Sequence, residues 1–580
     1  MASLLGTESK LRPESLKQAN EHTCKLLLNC YIRELGRERR RHIDLNARTL
    51  DYAVVFPASG VTVFGKLAYY SAAGEHEYHS MRWLGGSGEE GAVGYEELVR
   101  WIVGELTENE GPLTGGLWIT AEKKRSFVEQ VGNSCRNLAL FIERAAEHGV
   151  FDYRSSEQAL IYGHPFHPFP KNMSGFTERD VLLYSPELRS SFRLSYFAVR
   201  RDVYREEWVS EGGKVPPHES VQDHLRHVLG GQSGEYAPLP VHPWQYRHVL
   251  GLAKVREYIR DGKLIPLGSL GPLAYPTTSV RTVYIPEMNC NIKLPLNMQI
   301  TNLVRTNSGE QMRRTLDASR YLLRRGGFGP DSPAGIAYET GIGTCRFEEE
   351  ELTRQFTVVY RPIEFDPSCT YVLASLVEAP RPGKPSRLMT LLGGGEVPIE
   401  RWFERYLELS MLPIVRLAGE QGIHFEAHLQ NTLLTVQGGM PAAFIIRDLE
   451  GVSVEIDKAH ANEEEAPSPP GPLFYPREEA WKRTGYYFFV NHLGLLIHSI
   501  ARDVNASEEQ FWGIARDMLM REYTRSANPF AKHLLTAETF RAKRNMLSCL
   551  AGNGETPSYV EVNNLLRREG EPCGDYDPFA

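Results

Sequence analysis

Three cations standing inside apolar runs constrain this chain more than any other feature: Arg281 in SVRTVYI, Lys293 in NIKLPL and Arg305 in TNLVRT. Each run reads as a strand meant for an interior, where an unpaired charge is costly. Each cation must therefore meet an internal carboxylate, snorkel from a solvated sheet face, or face a bound anion. Lys293 and Arg305 share odd parity, and so share a face if the strand predicted over Ile292 to Val304 is unbroken. Converging with Arg281, they would neutralise a triphosphate and the charge that develops on departing pyrophosphate.

The segment His424 to Gly451 supplies polar groups of another kind. A helix is predicted to end near Gly422, followed by a strand over Asn431 to Val436, a turn at Gln437-Gly438-Gly439, and a return strand over Ala442 to Ile446. Folding about that turn puts His428, Gln430 and Asn431 at the same open end as Arg447 and Asp448. Such a set suits phosphate and Mg²⁺, which takes oxygen ligands from few protein groups. Asp448, Asn431 and Glu426 are the candidate metal ligands. A polar hairpin end that satisfies only its own backbone fits the spacing equally well.

A third segment, GHPFHPFPK from Gly163 to Lys171, holds two histidines each locked before a proline, which forces an extended loop. No cysteine or carboxylate lies near enough to complete a zinc site. Two histidines and a lysine so close together favour carboxylate binding, while His242-Pro243-Trp244 repeats the pattern and suits a structural role. Arg483 and Lys543 fall in a tail expected to be mostly helical, where a solvated helix face is the default.

At 580 residues, the chain is expected to form two or three domains. Hydrophobic residues at 42% and charged residues at 24% are ordinary for a globular protein. The net charge of −8 gives no reason to expect nucleic acid, although local cation clusters can still hold anions. The apolar stretches Tyr486 to Val490 and Leu493 to Ile497 are broken by Asn491 and His492, too short for a bilayer. The N-terminus lacks a secretory pattern, so a cytoplasmic protein is expected. Eight scattered cysteines without a CxxC pair suit a reducing compartment and argue against an iron–sulfur site.

Along the chain, the first ~150 residues read as an α/β unit, with helices over Leu16 to Leu35 and Thr120 to His148 and strands over Tyr52 to Phe56 and Val61 to Tyr70. Strands dominate to Tyr360, among them Arg193 to Arg201, Val280 to Ile285 and Gln355 to Pro362. A helix is expected over Ile399 to Gly419, and helical patterns prevail from Ala480. Asn462 to Pro472 reads as a mobile, proline-rich surface excursion.

The order of these segments carries a resemblance. GHPxHPxxKxxxGF (Gly163 to Phe176), PVHPWQ (Pro240 to Gln245), Ser279-x-Arg281, Lys293, Thr301 and Arg305, EAHxQN (Glu426 to Asn431) and Arg447-Asp448 resemble the aerobactin-synthetase (IucA/IucC) family of NRPS-independent siderophore synthetases. The resemblance runs from about residue 150 to the C-terminus. It implies an α/β (α+β) cupped hand: a thumb over 1–150, strand-rich fingers over 151–360, and a mostly helical palm over 361–580 carrying the hairpin. A deep cleft would separate fingers from palm.

It further implies that ATP activates a carboxylate, citrate or a citrate derivative, as an acyl-adenylate, and that an amine or hydroxyl then gives an amide or ester with AMP and pyrophosphate. By position, Ser279, Arg281, Lys293, Thr301, Arg305, His428, Gln430, Asn431 and Asp448 match nucleotide contacts, and His428, Arg305 and Lys293 are the catalytic candidates. His164, His167, Lys171, Arg483 and Lys543 match positions for the carboxylate. The expected partners are ATP, Mg²⁺, a citrate-like acid and an amine or polyamine, with neither nucleic acid nor membrane, and a homodimer left open. Two other readings compete. A kinase-like phosphotransferase would use the hairpin ending in Asp448 but lacks the glycine-rich loop and VAIK strand. A non-catalytic cytoplasmic siderophore binder would need no ATP.

Overall fold

Alternating burial builds the first sheet. In Asp51–Phe56 and Val61–Tyr69 every second side chain turns inward, and Val54, Phe56 and Val63 are completely buried. The computed structural model describes residues 11–35, 41–108, 119–145, 151–301, 303–393, 397–462, 471–554 and 556–567. In it these strands belong to a five-stranded antiparallel meander from Ile43–Leu45 to Glu90–Ala92. The helices Pro13–Glu34, Tyr95–Glu108 and Ala121–Arg144 share its core. Glu77–Gly85 was not foreseen as a strand, because His79, Ser80 and Arg82 break the apolar period. The predicted helix end near His148, most of the 462–472 excursion and Cys573 lie outside the described residues.

The middle of the chain forms an eight-stranded antiparallel sheet, in which Cys290–Lys293 lies between Thr282–Ile285 and Val358–Pro362. Here the structure corrects one expectation. Ile292 to Val304 is not a continuous strand: Leu296–Ile300 and Leu303–Arg305 form a hairpin in a separate three-stranded sheet with Met173–Ser174. Pro295 has no N–H to continue the ladder, and Thr301 turns the chain at a φ of 57°. The parity argument for Lys293 and Arg305 therefore fails. The fold-back brings both to one region instead, and it ties the His-Pro loop in, since Thr301 and Asn172 exchange hydrogen bonds of 3.1 Å.

A four-stranded sheet carries the second half of the site. Thr432–Gln437 and Met440–Arg447 form the foreseen hairpin, flanked by Ala334–Ala337 and Thr370–Val372. Helices that bury Trp402, Tyr406 and Phe511 pack with it in the largest core. The helix expected over 399–419 is two, Ile399–Leu409 and Met411–Gln421. Pro413 cannot donate to the Leu409 carbonyl, which favours a break there. Lys543 closes a strand, Thr539–Lys543, paired with Tyr559–Asn563, rather than lying on a helix as expected. Among the described residues no helix is long and apolar enough to cross a membrane.

Candidate active site

The hairpin turns through Gly438 and Gly439, whose φ values of 55° and 74° match the tight turn that strand twist favours. Its register sets Thr432 opposite Ile446, so Arg447 and Asp448 emerge beside Gln430 and Asn431. Arg447 serves the frame. It makes a buried ion pair with Glu157 and donates to the Gln430 carbonyl at 2.8 Å, while Glu157 accepts from Thr278. A second buried pair, Arg361 with Glu339, receives the Leu449 N–H at 3.0 Å and fixes the next residue. Between these pins the chain presents Asp448.

Lys293 Nζ lies 2.9 Å from Asp448 Oδ1 and 3.1 Å from Glu450 Oε2. Burial alone would raise the Asp448 pKa, but Lys293, Arg361 and Arg281 outweigh it and hold the carboxyl below its usual range. Arg281 donates to Asn307 Oδ1 at 2.7 Å and approaches the Arg305 carbonyl at 3.3 Å. Arg305 meets the Thr301 hydroxyl at 3.0 Å. No carboxylate among the described residues lies within ion-pair distance of either guanidinium. Burial, and then the neighbouring Arg281 charge, lowers Arg305 to about 10. Ser279 Oγ accepts from the Thr282 N–H at 3.2 Å, and Gln430 reaches the Thr278 hydroxyl at 3.3 Å.

Backbone strain marks the same place. Val280, Thr301 and Asp448 have φ values of 66°, 57° and 67°. A left-handed β-branched residue is a genuine outlier, and of these two Val280 directly precedes Arg281 while Thr301 accepts from Arg305. Such strain persists where surrounding structure enforces it, most often at functional sites.

Across from this set lies a second group. His428 stands between them: burial lowers it to about 4, Asp448 opposes that, and the Lys543 charge adds to it. Lys543 Nζ donates to Tyr487 Oη at 2.8 Å, and the Tyr487 ring centroid is 5.9 Å from that of His428. Arg483 holds Glu426 Oε1 at 2.5 Å. A side chain on Gly451 would come within 2.3 Å of Glu426 Cγ and force the Glu426 side chain to move. Asn431 donates to the Glu426 carbonyl at 3.2 Å. Of the three expected metal ligands, Glu426 is held by Arg483, while Glu450, not singled out in the sequence, shares Lys293 with Asp448. Among the described residues no three His, Cys, Asp or Glu side chains gather as a metal cluster.

All three His-Pro histidines use Nδ1 the same way. His164, His167 and His242 each accept the N–H two residues on, at 3.1, 3.2 and 3.1 Å. The neutral ring must then carry its proton on Nε2. His164 presents that donor on an exposed face, whereas His167 is buried with Nε2 3.7 Å from Cys549 Sγ. Lys171 is also turned inward, 2.6 Å from both Glu187 Oε1 and the Leu160 carbonyl. Both support the loop rather than the open face. Tyr487 lies on a nine-residue π-helical stretch, Gly485–Leu493, a rare geometry frequent at functional sites and invisible in composition.

Comparison with known proteins decides the family. The L-2,3-diaminopropanoate–citrate ligase of Staphylococcus aureus is 31% identical over 527 residues, spanning 87% of this chain and 90% of that protein. This chain belongs to the IucA/IucC family. Residues 152–362 match the model of the IucA / IucC family, and residues 400–558 match that of the ferric iron reductase FhuF-like transporter. The spermidine–citrate ligase of Bacillus anthracis is 25% identical, covering 95% of the chain and 98% of that protein. The fold matches ATP-bound aerobactin synthetase IucA of Klebsiella pneumoniae with a TM-score of 0.82 at 22% identity, over 94% of this chain and 100% of that one. The IucA/IucC protein described here is therefore a siderophore synthetase and a ligase.

Buried histidines should make this synthetase acid-sensitive. His76, His242 and His492 are almost wholly buried, and burial lowers them to about 4, 3 and 3. Below pH ~6.5 the unfolded chain takes up protons at these sites, while the folded chain does not until pH ~4. Stability should therefore fall as pH drops through that window, by about 1 kcal/mol or more per histidine at pH 5. Melting measured from pH 7 to 4.5 checks this. An unchanged midpoint would show that these rings are protonated in the fold.

Proposed function

We propose that the protein is an ATP-dependent siderophore synthetase that adenylates a carboxyl group of citrate or a citrate derivative and joins it to an amine or hydroxyl. The observation that carries this reading is the grouping of Arg281, Lys293 and Arg305 at a strained backbone. Among the described residues, Arg281 and Arg305 meet only neutral groups of the protein, beside the carboxylates of Asp448 and Glu450. Such cations are suited to the three phosphates, with Ser279 and Gln430 nearby as polar contacts. The carboxylate oxygen attacks the α-phosphorus, and the bond to pyrophosphate breaks as Arg281 and Arg305 take up its charge. The amine nitrogen then attacks the acyl carbon, AMP leaves, and neutral His428 accepts the proton. His164, Lys543 and Arg483, the last through Glu426, form the side facing the acid.

Asp448 and Glu450 are the residues that would hold Mg²⁺, which would neutralise phosphate charge when bound. The names of the relatives support citrate as the acid. Three large sheets support a thumb, fingers and palm divided near 150 and 360, with one strand of the middle segment, Ala334–Ala337, joining the hairpin sheet of the last. We place the enzyme in the cytoplasm, where ATP is supplied.

The test is product analysis with citrate and ATP. Pyrophosphate and AMP should appear only when the acid is present, and hydroxylamine should trap the acyl group as a hydroxamate. Formation of ADP would support phosphotransfer instead.

A further inference from the structure

The first helix reaches across to the segment that carries Lys543. Glu34, the last residue of Pro13–Glu34, accepts the Met546 N–H at 2.7 Å and the Leu547 N–H at 3.0 Å. These amides belong to the first turn of the short helix Asn545–Ala551, whose own N-cap, Arg544, offers no side-chain bond. The Glu34 carboxylate satisfies donors that no carbonyl within that helix can reach. Met546 and Leu550 are buried in the same core as Leu27, Leu28 and Tyr31 of the first helix. The residues just after Lys543 are therefore packed into the N-terminal unit.

From there the tie runs to both sides of the group facing the acid. Lys543 closes the strand Thr539–Lys543, two residues before Asn545. The Asn545 amide donates to the Phe166 carbonyl at 2.7 Å, in the loop between His164 and His167. Arg33, next to Glu34, holds its guanidinium 3.9 Å from the centroid of the Phe166 ring. Cys549, on the same short helix, is the thiol 3.7 Å from His167 Nε2. One segment, Lys543 to Cys549, carries a cation of the site and props the loop that presents His164. Glu34 fixes where the helix of that segment starts.

We propose that Glu34, with Arg33 beside it, is a positioning residue for the carboxylic acid: it does not meet the acid itself, but sets Lys543 and His164 at their working separation. The inference rests on the reading that those two side chains face the acid. It brings the N-terminal unit, which supplies none of the residues assigned to substrates above, into the chemistry.

The charge of Glu34 supports this. Burial raises its pKa to about 7, against the two amides, Arg33 and Arg544, which lower it. Cys30 on its own helix and Cys549 opposite also face it, and burial keeps both as neutral thiols at pH 7. Its folded value lies above the unfolded one, so ionising Glu34 costs stability as pH rises towards about 7. A group kept for the fold alone would be better neutral. Ionised, however, it accepts both N–H groups, whereas protonated it loses acceptor capacity.

The test uses the full chain carrying Glu34→Gln, Glu34→Asp or Asn545→Ala. Acid-dependent pyrophosphate release is measured against citrate and against ATP at about pH 6 and about pH 8, either side of the Glu34 titration. At the higher pH, Glu34→Gln should raise the citrate KM about 5-fold or more and leave the ATP KM within about twofold. The ratio of variant to wild-type citrate KM should shrink at the lower pH, where the wild-type carboxyl is itself protonated. Taking the ratio cancels the titration of citrate. Glu34→Asp keeps the charge a methylene short and should recover part of the loss. Asn545→Ala leaves the carboxyl untouched, should also raise the citrate KM, and covers the case in which the Glu34 variants fail to fold. In Glu34→Gln, amide hydrogen exchange over 544–551 should quicken, and that over 163–169 with it. An unmoved citrate KM beside a lowered melting temperature would make Glu34 a support of the fold alone and overturn the assignment. A rise in the ATP KM alone does the same, as does unchanged exchange in both segments. Should the wild type release no pyrophosphate with citrate while exchange still responds to Glu34→Gln, the ligase reading fails and the tie from Glu34 to the loop stands.

Discussion

Asp448→Asn should lower acid-dependent pyrophosphate release by about 10³-fold or more, some 4 kcal/mol of transition-state stabilisation, while the protein stays folded. Asparagine has nearly the shape of aspartate and tolerates the left-handed conformation that Asp448 adopts at a φ of 67°. The backbone at the hairpin end therefore survives, and Lys293 keeps Glu450 at 3.1 Å as its ionic partner. What disappears is a charge that Lys293, Arg361 and Arg281 hold ionised against burial. The same carboxylate is the first candidate for Mg²⁺, so wild-type activity should also vanish in EDTA and return with added Mg²⁺, with the melting curve unmoved. Full turnover by the variant, or by the wild type in EDTA, removes Asp448 from the chemistry.

The hairpin was legible because its signals are local. Two glycines fix the turn, and apolar strands on either side fix the register, so the placement of Asp448 beside Gln430 and Asn431 followed from counting. The cations were legible as anomalies in apolar runs, but not their arrangement. Pro295 and the turn at Thr301 split one predicted strand between two sheets, and a break of that kind depends on the neighbours each piece finds. The buried pairs Arg447 with Glu157 and Arg361 with Glu339 join residues far apart in sequence. No periodicity reports such pairs, and they do the positioning. Lys171 and His167 misled for the opposite reason: the His-Pro-x-x-Lys spacing shows residue types but not which side chains turn inward to build the loop. Lys543 was put on a helix because helices surround it, although FRAK alternates as a strand does.

Arg305→Ala should cost at least about 2 kcal/mol in kcat/KM for ATP, roughly 30-fold, with little loss of stability. The argument is one of unmet charge. A buried arginine kept for the fold has a carboxylate, as Arg447 has Glu157. Arg305 has the Thr301 hydroxyl at 3.0 Å and, close by, the like charge of Arg281 that helps lower it to about 10. Among the protein's own groups this is an unfavourable arrangement, so removing the guanidinium relieves repulsion and leaves no carboxylate stranded. It becomes favourable only when an anion enters. The guanidinium stays charged throughout pH 6 to 8, so its contribution should be constant across that range. Arg305→Lys should recover part of the loss, since the charge returns without the fork. An alanine variant with normal turnover but a lowered melting temperature would mean that Arg305 holds the hairpin and not the phosphates.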